Sequence, residues 1–105
     1  MKIQKGSKNA YADLGSADAD EMLIKARLAT EIGGIIGRRH FVQQEAAKLL
    51  NISQAKLSNL LRGNFRGISD GKMLECLTRL GSDVSIVVKR HREPHAAGHI
   101  SVVFV

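Results

Sequence analysis

Residues 43–63 read QQEAAKLLNISQAKLSNLLRG, and this stretch decides the fold. Apolar residues recur at three- and four-residue spacing on either side of Asn51, which predicts two short helices joined by a tight turn. Asn tolerates the positive φ that such a turn often requires, and Ser53 is a favourable N-cap for the second helix. The sequence therefore predicts a helix-turn-helix over about 42–63.

The predicted second helix has an inner and an outer side. Leu57 and Leu60 face inward, and the side chains left outside are Gln54, Ala55, Lys56, Ser58 and Asn59. Gln and Asn can each form two hydrogen bonds to adenine, and an alanine methyl can contact the methyl group of thymine. A helix that enters the DNA major groove presents such a surface, so the pattern predicts binding to duplex DNA.

Contacts to the DNA backbone are expected from both helices. Lys56, Arg62 and Arg66 can neutralise phosphates. Gln43 can donate to a phosphate from the start of the first helix of the motif. The full predicted DNA-binding set is Gln43, Gln44, Ser53, Gln54, Ala55, Lys56, Ser58, Asn59 and Arg62. The alternative is an ordinary polar helix pair. The small residue Ala47, the turn residue, the cap and the polar outer face together favour DNA binding over that alternative.

Composition sets the class of protein. A chain of 105 residues fits one domain, and its formal net charge of +6 suits a polyanionic partner, although many basic proteins bind no nucleic acid. Aromatic residues make up only 4%, so the core must be aliphatic. The single cysteine, Cys76, excludes an intramolecular disulfide and is expected to be a buried small apolar residue. Neither a signal peptide nor a membrane-spanning apolar run is visible, so we expect a cytoplasmic protein with no membrane partner.

The flanking segments complete a mainly α fold, a bundle of about four helices with a C-terminal β-strand or hairpin. A polar N-terminal segment over 1–17 precedes a helical bundle over 18–81, and the β element over 82–105 is the expected dimerisation element. The first helix, over 18–37, has an apolar stripe of Leu23, Ala26, Ala29, Ile32 and Ile36. Another helix, over about 70–80, is capped by Ser69 and ended by Gly81. β-branched runs predict strands over 84–90 and 99–105.

The run from Gln43 to Gly63 resembles the helix-turn-helix of lambda-repressor-like (XRE/Cro) regulators. Residues 11–15 (YADLG), the long first helix and residues 80–84 (LGSDV) resemble the small helix-turn-helix antitoxins of the HigA type. The resemblance implies a homodimer that binds a palindromic operator, represses its own operon and neutralises a toxin of the RelE/HigB type. The family's DNA-contact positions correspond to Gln43, Gln54, Ala55, Lys56 and Asn59.

Two positions depart from the family pattern. Val42 replaces the usual Thr or Asn cap at the start of the first helix of the motif, which weakens the capping box expected with Glu45. Asn51 replaces the usual turn glycine, a change that costs little because Asn tolerates positive φ.

Other residues favour no catalytic or metal chemistry. His91, His95 and His99 are spaced by four, but Pro94 and Gly98 predict a loop there, so histidines in a solvated turn are expected rather than a metal site. No nucleophile with a base is visible, so we expect neither an enzyme nor a cofactor. The alternatives left open are a solitary XRE-family repressor without a toxin, a module that neutralises a protein with little DNA role, and an architectural dimer.

Overall fold

The computed structural model describes residues 16–90 and 97–105, with the side chains described from residue 19 onward. Four α-helices lie in these ranges: α1 (Ser16–Arg38), α2 (Gln43–Leu50), α3 (Gln54–Leu61) and α4 (Asp70–Arg79). They confirm the mainly α fold, the helix-turn-helix and the two flanking helices. The predictions for residues 1–15 and for His91 and His95 fall outside the described residues.

The chain divides into two compact units, and the helical core lies in the unit Lys25–Ser85. Its fully buried large side chains are Leu28, Ile32, Leu50, Leu57, Leu60, Met73 and Cys76, an aliphatic and sulfur-containing set as the composition predicts. The described residues of the other unit are 16–24, 86–90 and 97–105. None of the helices described is long and apolar enough to cross a membrane.

The predicted apolar stripe of α1 is wrong at its first member. Leu23 is 61% exposed, whereas Leu28, Ile32 and Ile35 are buried. Five residues correspond to a rotation of about 140° around a helix, so Leu23 points well away from the direction of Leu28. The buried stripe of α1 therefore runs along the side of Leu28 and Ile32, and Leu23 lies outside it.

A glycine inside α1 allows close packing against α3. A Cβ built on Gly33 would lie 3.3 Å from Leu61 Cδ2, which is tighter than ordinary van der Waals contact. Three glycines, Gly33, Gly34 and Gly37, lie in the last two turns of α1, and glycine has a low helix propensity. In the structure α1 continues to Arg38, because tertiary packing outweighs the low helix propensity of glycine.

All four helices end in the same way, in a Schellman motif. A residue one or two positions after each helix end has a left-handed backbone: φ is 58° at His40, 58° at Asn51, 88° at Gly63 and 98° at Gly81. The following amide donates to the carbonyl five residues earlier: Phe41 to Ile36 (3.1 Å), Ile52 to Ala47 (3.1 Å), Asn64 to Asn59 (2.8 Å) and Ser82 to Leu77 (2.9 Å). The predicted left-handed turn at Asn51 and the terminating role of Gly81 are confirmed.

The predicted strands over 84–90 and 99–105 are wrong for this single chain. The described part of both segments contains no strand, and most of its side chains are exposed, Val88 by 90%. β-branched residues favour an extended backbone, but a strand also needs a neighbour that completes its ladder of hydrogen bonds. No such neighbour is present among the residues described, so the fold is α-helical without the expected β element.

The loop after α3 contributes to the core, which the sequence did not predict. Phe65 and Ile68 are both buried, and the Ile68 amide donates to the Phe65 carbonyl at 3.2 Å. A short loop with two apolar anchors thus connects α3 to α4.

Candidate nucleic-acid interface

The junction between α2 and α3 is built as the sequence predicts. Ala46, Ala47 and Leu50 are buried, and the small side chain of Ala47 lies where α2 packs against the rest of the core. Asn51 adopts the left-handed conformation (φ 58°, ψ 45°), and Ile52 beside it is half-buried. These features fix the direction in which α3 leaves the turn.

Leu49 is an apolar residue of α2 that does not lie in the core. Its side chain is 37% exposed, and its carbonyl oxygen accepts a hydrogen bond from Arg79 Nη1 at 3.4 Å. Leu49 thus contributes to the fold through its backbone, by a link between α2 and α4.

The start of α3 is capped and its inner side is buried. The Ser53 hydroxyl accepts a hydrogen bond from the Lys56 amide at 3.0 Å, which confirms the predicted N-cap. Leu57 and Leu60 are buried, also as predicted. Since successive residues are about 100° apart, the opposite side of α3 carries Ala55, Ser58, Asn59 and Arg62, with Gln54 and Lys56 at its two flanks. We call these six residues the outer face of α3.

Exposure differs across this outer face. Gln54, Ala55 and Lys56 are exposed, as predicted. Ser58 and Asn59 are half-buried and not fully exposed, because the Arg62 side chain lies against both. The Arg62 Nη1 atom donates to Ser58 Oγ at 2.6 Å, and Nη2 donates to Asn59 Oδ1 at 2.6 Å.

The start of α2, where the helix-turn-helix begins, is an exposed helix end. Val42 makes no side-chain capping bond, in agreement with the weakened capping box expected from the sequence. Gln43, Gln44 and Glu45 are all exposed in the first turn. The positive end of a helix dipole and the free donors of a first turn favour an anion such as a phosphate group.

Comparisons with known proteins agree with this geometry. A family model described as a helix-turn-helix domain matches residues 10–89. The chain belongs to this helix-turn-helix family. A solved structure assigned by its name to the XRE family of transcriptional regulators is 36% identical, with a TM-score of 0.75, and the match covers 84% of this chain and 99% of that one. The motif is therefore of the XRE type. No curated protein matched the chain.

Membership of the helix-turn-helix family also confirms that the protein is not an enzyme, since a domain of this kind acts by binding. Within residues 16–90 and 97–105 no group of three His, Cys, Asp or Glu side chains is arranged to hold a metal ion. His99 lies in a segment without regular structure, and the other two histidines of the spaced row lie outside the described residues.

Some basic residues of the helix-turn-helix protein stabilise its own fold. Arg39 Nη1 donates to the Leu80 carbonyl at the end of α4 at 2.8 Å, and its guanidinium lies 4.7 Å from the centre of the Phe41 ring. Arg39 belongs to a basic cluster, residues 38–40, whose charge would suit a contact with the DNA backbone. The contacts of Arg39 with Leu80 and Phe41 instead indicate a structural role for this member of the cluster.

Three charged side chains on α4 likewise pair with one another. Glu75 Oε2 lies 2.9 Å from Arg79 Nε and 3.2 Å from Lys72 Nζ. The hydrogen bond from Arg79, with that from Lys72, lowers the pKa of the Glu75 carboxyl from its ordinary value. Next to it, burial raises the pKa of the Cys76 thiol, so this cysteine is kept as a neutral core residue, as predicted.

Proposed function

We propose that the protein is a sequence-specific DNA-binding transcriptional regulator that inserts α3 into the major groove. The observation that carries the proposal is the outer face of α3, where Ala55 lies exposed opposite the buried Leu57 and Leu60 and the exposed Gln54 and Lys56 flank it. A polar helix held at one end by a tight turn and at its base by a core is the arrangement that reads base edges. The XRE-type structural neighbour, named as a transcriptional regulator, supports the same proposal.

Six residues of the interface have separate proposed roles. Gln54 pairs with adenine through its amide, and Ala55 contacts a thymine methyl group. Lys56 neutralises a phosphate, and Gln43 and Gln44 donate to the backbone from the start of α2. Ser53 acts as a cap that keeps the first turn of α3 in register. The formal net charge of +6 supports a polyanionic partner.

We further propose that the regulator acts as a homodimer on a palindromic operator. One eight-residue helix is about 12 Å long and reaches only a few base pairs. Two copies on half-sites about 34 Å apart would double the contacts. The exposed C-terminal segments, with Ile86, Val88 and Ile100 uncovered, favour pairing between two copies, because strand pairing would cover apolar surface and complete the backbone hydrogen bonds.

The finer proposal is an autorepressing antitoxin with a RelE/HigB-like toxin as its partner. It rests on the resemblance of residues 80–84 and of the long first helix to HigA-type antitoxins. The same uncovered apolar residues near the C-terminus offer surface for a protein partner. A solitary XRE-family repressor remains the alternative. Co-expression with the adjacent reading frame distinguishes the two, since the antitoxin must co-purify with a small basic protein and relieve its toxicity.

DNA binding is tested with a fluorescent duplex taken from the region upstream of the protein's own gene. We expect a tight complex whose affinity falls steeply with salt, because binding releases counterions from the DNA. Gln54→Ala is expected to lose discrimination at one base pair, worth about 1–3 kcal/mol. Thr78→Ala, an exposed substitution on α4 outside the proposed interface, is the matched control and should bind as the wild type does. Absence of a complex at low salt would refute the proposal.

A further inference from the structure

The Arg62 side chain holds two polar side chains that lie one turn earlier on α3. Its guanidinium donates from Nη1 to Ser58 Oγ and from Nη2 to Asn59 Oδ1, both at 2.6 Å. Arg62 itself is exposed, and all three residues lie on the outer face of α3. We call the three residues the Arg62 clamp. The clamp is built from i,i+3 and i,i+4 neighbours, which are adjacent on a helix surface.

The chemistry of the guanidinium fixes the direction of the Asn59 amide. A guanidinium has only hydrogen-bond donors, so the atom of Asn59 that faces it must be the acceptor Oδ1. The Nδ2 group occupies the other branch of the same planar amide and points away from the guanidinium. An amide NH₂ only donates. Beyond the clamp, Asn59 therefore offers two N–H donors, while one of the two lone pairs of Oδ1 is used by Arg62 and a positive guanidinium lies 2.6 Å from that oxygen.

This arrangement changes which base Asn59 can recognise. A free Asn pairs with adenine by donating to N7 and accepting from N6, which requires both of its polar atoms. Guanine presents two acceptors, N7 and O6, at the same edge. We infer that Arg62 is a positioning residue that makes Asn59 read its base mainly as a donor, because a base N–H at Oδ1 would have to share that oxygen with the guanidinium, so that the base under Asn59 is guanine rather than adenine. The inference rests on the proposed function, in which α3 enters the major groove.

A simpler role for Arg62 would be to neutralise a phosphate. In that case the base preference of Asn59 would not depend on Arg62, and removal of the arginine would weaken binding to all sequences alike. Ser58 and Asn59 are neutral acceptors, so the clamp leaves the positive charge of Arg62 in place, and this charge can still favour DNA. The two roles therefore differ in base preference and not in overall affinity.

The experiment selects bound sites from a pool of randomised DNA duplexes with the full-length protein and four variants. Arg62→Met removes every donor and keeps an unbranched, flexible side chain that is shorter than arginine. We expect the guanine at one base pair of the wild-type motif to be replaced by adenine, with a change of about tenfold in relative affinity. Arg62→Lys keeps a donor-only group beside Asn59 and should retain guanine. Asn59→Asp turns the reader into an acceptor-only group and should lose guanine. Lys56→Met removes a charge from the flank of the same helix and should weaken binding with an unchanged motif.

Three outcomes would overturn the inference. The first is a wild-type motif with no guanine that depends on Asn59, and the second is an unchanged motif in Arg62→Met with uniformly weaker binding. The third is retention of guanine in Asn59→Asp, which also decides the matter if circular dichroism shows that Arg62→Met does not fold. In these cases the proposed function still stands. If the folded wild-type protein enriches no sequence at all, the proposed function fails and the inference fails with it.

Discussion

Replacing Gly63 by alanine isolates the conformational cost of the helix end that follows α3. Gly63 has φ +88°, and a Cβ added there would meet no atom within 4 Å. Gly67, four residues later, has equally open space and is not among the residues with positive φ. The two positions therefore differ in backbone conformation and not in steric contact, which makes Gly67→Ala the matched control.

The expected magnitudes follow from two opposing terms. A left-handed conformation costs an alanine about 1–2 kcal/mol. In either variant alanine also lowers the conformational entropy of the unfolded chain, which stabilises the folded state by about 0.4–1 kcal/mol. Gly63→Ala should therefore lower the free energy of unfolding by about 1 kcal/mol on balance, by the difference of these two terms. Gly67→Ala should raise it by about 0.4–1 kcal/mol, provided that alanine fits its backbone.

Thermal unfolding followed by circular dichroism checks both variants. One kcal/mol corresponds to a shift of roughly 4–8 °C in Tm for a domain of this size class, so Gly63→Ala should melt several degrees below the wild type. Gly67→Ala should melt at or above the wild-type temperature. Equal shifts in the two variants, or a more stable Gly63→Ala, would refute the argument that the left-handed backbone at position 63 requires glycine.

Three further predictions concern the interface, the core and the surface charge. Lys56→Ala should weaken binding to all DNA sequences equally and reduce the magnitude of the salt slope by about one, as measured by anisotropy titrations over a range of salt; a change in base preference would contradict its assignment to a phosphate. Gly33→Ala should leave the free energy of unfolding close to that of the wild type, because the gain of about 1 kcal/mol for alanine in a helix interior is offset by its methyl group, which would crowd the leucine of α3 at 3.3 Å; a full gain of about 1 kcal/mol in urea unfolding would show that the neighbouring side chain moves without cost. The lowered pKa of Glu75 adds stability above the unfolded-state pKa, and this contribution should be lost as the pH falls through the acidic range; Glu75→Gln should flatten the acid limb of stability against pH, and an unaltered limb would exclude the contribution.

The helix-turn-helix could be predicted from sequence because its determinants are local. Asn51 supplies the left-handed turn. Ser53 caps α3 by accepting a hydrogen bond from the amide of Lys56, three residues later. Both act within a few residues of themselves, so periodicity and cap chemistry suffice to find them. The same holds for Ser69, whose hydroxyl accepts from the Lys72 amide at 3.1 Å.

The misses have a common origin in longer-range packing. Leu23 is spaced three residues from Ala26, as a core residue can be, but the side of α1 that is buried runs through Leu28 and Ile32 and leaves Leu23 out. The C-terminal segments have the composition of strands, yet pairing depends on a neighbour that composition does not identify. Phe65 lies in a loop and is nevertheless buried. Its aromatic side chain, in a chain with few aromatics, is the signal in the sequence that points to this burial.

The Arg62 clamp was missed for a different reason. The spacing of Ser58, Asn59 and Arg62 predicts contact on a helix, and this signal was present in the sequence. The sequence does not show whether these side chains bond to one another or stay free to contact DNA. Side-chain bonds on a recognition helix limit which atoms face outward, and only atomic positions reveal that limit.

The repeated helix endings bear on how the chain folds. Each left-handed stop is specified within about six residues, so the points where the polypeptide reverses can form before any distant segments meet. Helical proteins in which most contacts are close in sequence fold within microseconds to milliseconds, since little loop-closure entropy opposes them. We therefore expect refolding of the helical unit to be fast and without a slow phase. In the cell, such a protein could regain its native state soon after each transient opening.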